Sequence, residues 1–313
     1  MAITTRLIEK DVLKAHTRVC SWRSLTAVGI IYGLIALIAW IATAVLGWWF
    51  TPIAIFLIGC LQHYLFVLHH EAAHFALHPN RVVNALIADA LLAIPLATRL
   101  KYYHALHMHH HRHVRDAEDP EMSLLRAMLC KSMPMGVFQA VTGITALRAS
   151  LWYFKFIHES QRNGTVKGSP LGDMLAFTAV WLPPIAISYA FGWLWGFGLY
   201  WVVPLACVYV PLIKLHSYSD HMLVPDPDVS EYDRSLTRRF GPLSTFIFNP
   251  LNAGEHLAHH LFASVPWYHM PSFVKHLEQN EMYREESKKW QSDGYFIGKS
   301  TVLERVVIPS TLS

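Results

Sequence analysis

Four long apolar runs dominate the pattern of hydrophobic and polar positions along the chain. They cover residues 26–50, 52–68, 171–190 and 191–213. Because an apolar helix of about 20 residues crosses a bilayer, each run is predicted to be a transmembrane helix. The runs form two adjacent pairs, which predicts two helical hairpins. We therefore predict an all-α integral membrane protein that forms a single domain over residues 1–313.

The remaining chain, residues 69–170 and 214–313, is more polar and predicts a helical cap on one face of the membrane. Two shorter apolar runs lie within it, at residues 84–98 and 123–139. The first contains Asp89 and Pro95 and is too short and too polar to span comfortably. Both runs are predicted to be interfacial or re-entrant helices.

Lysine and arginine are distributed unevenly around the predicted spans. The N-terminal segment, the middle stretch and the C-terminal region carry many of them, whereas the hairpin tips near residues 47–51 and 190–196 carry none. Positively charged loops stay in the cytoplasm. Both termini and the cap are therefore predicted to be cytoplasmic, at the inner or plasma membrane in a bacterial source.

Composition supports the membrane class. Only 15% of the residues are charged, against about a quarter in a soluble protein. The net charge is a modest +4, and no basic stripe indicates a nucleic-acid partner. The four cysteines are far apart in the sequence, which favours neither a disulfide framework nor a zinc–thiolate site.

Histidine is the outlier in this composition, with 20 residues. Several histidines recur at helical spacing, so that each set shares one helical face. These sets are His70 and His74; His107, His110 and His111; and His256, His259 and His260, with His221 just beyond the fourth apolar run.

Such sets favour a metal site. Neutral imidazole suits iron, copper and zinc, and burying many unpaired imidazoles would be costly. These nine histidines exceed what one ion can hold, and all lie on the predicted cytoplasmic side. The economical interpretation is a pair of ions that share them.

Two alternatives explain part of the pattern. Residues 70–74 also match HExxH, the zinc-protease signature, in which Glu71 would be the general base. An intramembrane protease usually takes an aspartate from a later span, and no such motif is apparent. A metal transporter would need polar groups within its spans, where His63 is the only histidine. Neither alternative accounts for the remaining sets.

At these residues the chain resembles the membrane fatty acid desaturase and hydroxylase superfamily, which is defined by the three boxes HxxxH, HxxHH and HxxHH. The three sets match the boxes in order. Asp119-Pro120-Glu121 after the second box and the run 261–271 after the third are similar to the family's flanking sequences.

The resemblance implies a di-iron site held by the nine histidines, with His221 as the ligand outside the boxes. Ser217 stands where acyl-CoA desaturases have an asparagine, which departs from that subgroup. Side chains near the boxes are expected to orient the imidazoles. These are Glu71, Asp119, Asp220, Asn252 and Glu255, with Asp116 as a further candidate.

An unactivated methylene has no acidic proton, so breaking its C–H bond requires metal and O2 chemistry rather than acid–base side chains. The resemblance implies fatty acyl desaturation. The alternatives are hydroxylation or ketolation of a lipid or carotenoid, and oxidative decarboxylation of fatty acids to alkenes.

The resemblance also implies cofactors and partners. Two iron ions and O2 are expected. The HPGG signature of a cytochrome b5 domain is absent from the sequence, so a separate ferredoxin, rubredoxin or cytochrome b5-type carrier is expected to supply electrons. The lipid bilayer is an expected partner, and an acyl carrier protein or a CoA thioester is compatible with the basic cytoplasmic face.

Overall fold

The structure, a computed structural model, describes residues 7–114, 118–221 and 235–302. Asp116 lies outside the described residues. The described chain divides into two compact units. The membrane unit comprises Cys20–His109 and Pro120–Lys214, and the C-terminal unit comprises the described residues within Met1–Val19, His110–Asp119 and Leu215–Ser313.

Four described helices are long and apolar enough to cross a membrane. They are Ser21–Val45, Trp48–Ala73, Pro170–Ala190 and Leu194–His221, termed the first to fourth spans. Each overlaps a span predicted from the sequence. The first and second spans contact each other, and so do the third and the start of the fourth. The hairpin topology, the cytoplasmic orientation and the single domain stay predictions.

Two of these helices extend beyond the apolar runs that predicted them. The second span continues as regular helix to Ala73, and the fourth ends with the helix Val210–His221. Hydrogen bonding continues a helix into polar sequence where no breaker intervenes, whereas the apolar pattern stops at the first charged or polar cluster. As a result the first histidine box and His221 both lie on the ends of span helices.

A bent segment, Arg81–Leu96, follows the second span in the membrane unit. It begins as regular helix, widens to a π-helix at Asp89–Ala93 and tightens to a 3-10 turn at Ile94–Leu96. It then meets the helix Leu100–Arg112 at 87°. Ala97 turns the chain with φ 61°. This irregular geometry agrees with a run that is too short to be a simple span.

Ion pairs hold the bend. Arg99 contacts Asp89 at 2.6 Å and Asp173, in the third span, at 2.7 Å. Lys101 contacts the same Asp173 at 2.6 Å. The side chains of Arg99 and Asp89 are mostly buried. A buried charge is costly unless it is paired, and here each charge has a partner of opposite sign. This network fixes the start of the helix that carries the second histidine box.

The other helices of the membrane unit are short or amphipathic. The predicted interfacial run at residues 123–139 is divided between two helices, because residues 128–132 are not helical. Those two helices are Pro120–Ala127 and Met133–Val141, and the helix Ile144–Arg162 follows them.

The C-terminal unit is built from short helices around its own apolar core. Leu257, Phe273, Leu277 and Tyr283 are fully buried there. Two-residue strands, Thr237–Arg238 and Gln291–Ser292, pair in parallel, which the all-α prediction did not include because two residues carry no periodic pattern. The helices are Lys10–His16, Pro242–Phe248, His256–Leu261, Met270–Leu277 and Glu281–Lys289.

Candidate metal centre

The first histidine group lies in the membrane unit and comprises His70, His74 and His107. His70 and His74 are one turn apart at the end of the second span, and His107 comes from the helix Leu100–Arg112. The Nε2 atoms of His74 and His107 are 3.0 Å apart. The rings of His70 and His107 are 4.5 Å apart, and one ring nitrogen of each histidine lies within 4.8 Å of the others.

A carboxylate fixes the orientation of His107. Its Nδ1 lies 2.9 Å from Oε1 of Glu121, and both side chains are largely buried. Tyr103 stacks almost parallel to the ring at 5.3 Å. A carboxylate only accepts, so Nδ1 donates and the Nε2 lone pair of His107 faces His74. This tautomer is the one that binds a metal through Nε2.

The second histidine group lies in the C-terminal unit, where four imidazoles converge. Nε2 of His221 is 3.1 Å from Nε2 of His110 and 2.8 Å from Nε2 of His256. Nε2 of His260 is 2.9 Å from that of His256. His221 is the last residue of the fourth span, and His256 and His260 are one turn apart on one short helix. Four Nε2 atoms so arranged form a ready set of metal donors.

Asp119 orients His110. Both of its oxygens are 3.0 Å from Nδ1 of His110, and both side chains are almost completely buried. Nδ1 of His110 therefore donates to the carboxylate, which leaves the Nε2 lone pair directed at His221. Asp119 repeats in this group what Glu121 does for His107.

Burial keeps members of this group neutral. Desolvation, reinforced for His260 by the neighbouring His256 charge, holds the pKa of both His256 and His260 well below the usual histidine range. Asp220 opposes this effect for His256 without reversing it. Neutral imidazoles at neutral pH present lone pairs to a cation, whereas four imidazolium ions would repel one another.

His111 and His259 also approach each other in the C-terminal unit. Their ring centroids are 5.2 Å apart, and one nitrogen from each lies within 4.8 Å of the other. The ring of His111 stacks on that of His260 at 4.3 Å. Each of the nine predicted ligands therefore has neighbouring imidazoles within its own unit.

Asp220 and Arg238 support the second group. Oδ1 of Asp220 is 2.7 Å from Arg238, and Oδ2 is 3.1 Å from Nε2 of His216 and 3.9 Å from Nδ1 of His256. Arg238 is 2% exposed. The sequence placed Asp220 near the ligands but gave no role to Arg238, because nothing local links the two residues, which are 18 positions apart.

Three other side chains, Glu255, Asn252 and Glu71, stay predicted to orient imidazoles, and the structure places each of them at a defined position. Glu255 pairs with Arg239 at 3.0 Å, since it precedes the helix of the third box and points away from its histidine face. Asn252 has φ 65° and donates to the carbonyl oxygen of Trp267 at 3.0 Å, so it shapes the loop. Glu71 is buried at the end of the second span.

Two histidines beside the boxes contact other parts of the membrane unit. His69 is fully buried against the rings of Phe66 and Tyr103. Nδ1 of His104 lies 2.7 Å from the carbonyl oxygen of Ala73, which ties its helix to the end of the second span. Glu121, which contacts His107, belongs to the flanking motif Asp119-Pro120-Glu121, and its position there did not indicate an orienting role.

Asp119→Ala should lower metal affinity by about 10–100-fold. Without the carboxylate, His110 loses the acceptor that fixes its tautomer. Metal titration of the purified, metal-free protein measures the change. Asp11→Ala is the matched control, because it makes the same change at an exposed position on the helix Lys10–His16, and the metal affinity of this variant should remain that of the wild type. Equal losses in both variants would contradict an orienting role for Asp119.

Comparison with known proteins agrees with this chemistry. The profile of the fatty acid desaturase family matches residues 46–291. Dihydrorhizobitoxine desaturase of Bradyrhizobium elkanii is 26% identical over 260 residues, which cover 80% of this chain and 74% of the relative. A beta-carotene ketolase of a Paracoccus species is 26% identical, covering 79% of this chain and 93% of the relative.

A third relative, the sn-1 acyl-lipid omega-3 desaturase (ferredoxin) of a Nostoc species, is 22% identical, covering 87% of this chain and 78% of the relative. The profile match covers most of the chain and includes all three histidine boxes. The match favours an oxidoreductase over the two alternatives, the zinc protease and the metal transporter. This membrane protein is therefore an oxidoreductase that belongs to the fatty acid desaturase family.

Proposed function

We propose that this protein uses two iron ions and O2 to introduce a double bond into a fatty acyl chain. The observation that carries the proposal is the repeated carboxylate–imidazole arrangement. Glu121 and Asp119 each accept from Nδ1 of a histidine whose Nε2 faces further imidazoles. This arrangement supplies neutral nitrogen donors in two groups.

The donor chemistry fits iron. Imidazole suits iron as well as zinc and copper, and no cysteine belongs to a group of possible metal ligands among the described residues. We propose that His70, His74 and His107 contribute to one ion and that His110, His221, His256 and His260 contribute to the other, with His111 and His259 completing the set of nine.

When bound, two irons would supply the redox chemistry by which O2 removes hydrogen from an unactivated C–H bond. The chain itself holds the imidazoles in one tautomer through Asp119 and Glu121, and keeps His256 and His260 neutral by burial. Buried Arg238 and Asp220 hold the helix ends that carry His221 and His256. The protein thus contributes the position of the imidazole ligands and the exclusion of water around them.

Electrons are proposed to come from a separate small carrier. A relative of this chain carries ferredoxin in its name, and ferredoxin is therefore the first donor to test, before rubredoxin or a cytochrome b5-type protein. Delivery of the acyl chain by an acyl carrier protein or as a CoA thioester stays a prediction. The cytoplasmic position of both termini and of the histidine groups is likewise proposed from the distribution of lysine and arginine.

Ketolation of a carotenoid is the second candidate. The observation that favours it is the beta-carotene ketolase relative, of which this chain covers 93%. Both reactions begin with removal of hydrogen from a C–H bond. In desaturation a second hydrogen leaves, whereas in ketolation oxygen enters the product. The arrangement of the histidine groups does not determine which of the two occurs.

Product analysis should distinguish the candidates. Membranes containing the protein, ferredoxin, its reductase and NADPH are supplied with carbon-13-labelled acyl lipids and, separately, with beta-carotene. Mass spectrometry is expected to show labelled acyl chains that are two hydrogens lighter. Keto or hydroxylated carotenoid would favour the second candidate instead. An iron-loaded protein that leaves both substrates unchanged with each of the three donors would overturn the proposal. Membranes without the protein are the control.

A further inference from the structure

A large apolar cavity lies within the membrane unit. Its volume is about 620 Å³, and its walls come from the first, third and fourth spans and from the bent segment Arg81–Leu96. That volume is within the range of pockets that hold a small-molecule ligand, about 300–1,000 Å³. No histidine lines it among the described residues. Its aromatic walls include Tyr32, Trp40, Trp181, Trp193, Tyr200 and Trp201.

The polar atoms of three of these aromatic residues are already used by the bent segment. The Tyr32 hydroxyl donates to the Leu91 carbonyl at 2.8 Å. Nε1 of Trp181 donates to the carbonyl of Ile94 at 3.0 Å, and Nε1 of Trp201 to that of Pro95 at 3.2 Å. The donors come from three different spans.

Those hydrogen bonds have a clear cause. The π-helix, the 3-10 turn and Pro95 interrupt the regular hydrogen bonding of the bent segment. At membrane depth an unsatisfied carbonyl costs several kcal/mol, so irregular backbone is tolerated there only when protein groups satisfy it. The polar atoms of these aromatic residues donate to the bent segment, and the apolar parts of the same residues line the cavity.

The cavity is continuous with the outer surface of the first span. Ala36 and Trp40 both line it and are exposed, with Trp40 58% exposed. Leu91 of the bent segment also lines it and is 39% exposed. None of these three residues is charged. An apolar chain from the surrounding bilayer can therefore enter the cavity from the side.

We propose that this cavity binds a hydrocarbon chain of a bilayer phospholipid. An unfilled space of this size would forfeit the dispersion contacts of all its walls. Water is a poor occupant, because a bound water needs two to four polar partners, and the Tyr32, Trp181 and Trp201 donors are engaged. The occupant is a structural lipid that braces the bent segment, and it differs from the chain that reacts at the histidines, because no histidine lines the cavity among the described residues.

Lipid retention tests the proposal. Wild-type protein, exhaustively washed in detergent, should retain roughly one phospholipid per chain in native mass spectrometry. Ala36→Phe places a ring in the cavity mouth and should reduce retention about tenfold, since overfilling leaves no space for the chain. Ala44→Phe is the matched control, because Ala44 is exposed on the same span and does not line the cavity. It should retain lipid like the wild type.

A second measurement uses the unmodified protein. A phosphatidylcholine with a diazirine in the middle of one acyl chain is photo-crosslinked in vesicles, and the labelled peptides are mapped. Labels should concentrate on Ala36, Trp40 and Leu91 beyond the level at other exposed span positions. Equal retention by the two phenylalanine variants, uniform labelling along the first span, or a retained free fatty acid in place of phospholipid would each overturn the proposal.

Discussion

Replacing His110 with alanine should remove about one of the two proposed irons per chain and lower turnover by at least about 100-fold. His110 is buried, its Nδ1 is held by Asp119, and its Nε2 meets that of His221. Truncation removes a donor from the centre of the second group, so the remaining imidazoles hold the ion less well. Iron per chain in the purified protein measures the loss, and product formation measures turnover.

Comparison with the first group makes this experiment more specific. His74→Ala removes a donor from a group in the membrane unit, and it should also leave about one iron per chain. The double variant should hold almost none. His158→Ala is the control for losing a histidine, because His158 is exposed on the helix Ile144–Arg162. Wild-type iron content in the His110→Ala protein would show that the second group holds no iron.

Metal loading should also appear as stability. An ion that binds only the folded protein stabilises it by mass action. Chelation should therefore lower the melting temperature of the wild type more than that of the double variant, which has little iron to lose. This comparison separates a protein that has lost metal from one that has misfolded, since the misfolded protein would melt early with or without the chelator.

The histidine groups could be predicted from the sequence because their spacing is local. His70 and His74, or His256 and His260, are four residues apart, and a helix places such residues on one face. The spans could be predicted for a similar reason, because each apolar run is long enough by itself to indicate its environment. The exact ends of the spans could not be predicted, since helical hydrogen bonding continues beyond the apolar pattern.

The surroundings of the ligands were harder to predict. Glu255 adjoins His256 in sequence, yet consecutive residues point in different directions, and Glu255 instead pairs with Arg239. Glu121 reaches His107 from 14 residues away, and Arg238 reaches Asp220 from 18. No periodicity encodes such contacts, which depend on how separate helices pack. The cavity in the membrane unit depends on packing in the same way.

Arg238→Met should destabilise the folded protein by about 3–5 kcal/mol, because it leaves Asp220 as a buried charge without its cation. Both side chains are nearly inaccessible to solvent, and their closest atoms are 2.7 Å apart. Thermal or denaturant unfolding in detergent measures the loss. Arg239→Met makes the same chemical change at the next residue, where the side chain is 37% exposed, and should cost only about 0–1 kcal/mol.

Arg238 also connects the two chain segments that present His221 and His256. Its guanidinium donates to the carbonyl oxygens of His216 and Ala253 at 3.3 and 3.2 Å. Its backbone N–H donates to the Gly254 carbonyl at 2.7 Å. A Cβ on Gly254 would lie 2.3 Å from the Arg238 carbonyl oxygen, so the close approach itself depends on glycine. Arg238 thus ties the end of the fourth span to the loop before the third box.

This connection predicts an effect on metal binding that stability alone would not produce. Arg238→Met should lose iron from the second group, whereas Arg239→Met should keep it. Adding Asp220→Asn to Arg238→Met removes the unpaired charge and should recover part of the stability. It should not recover the iron, because the contacts that position His221 and His256 remain absent. Recovery of both together would show that Arg238 only neutralises Asp220 and does not position the ligands.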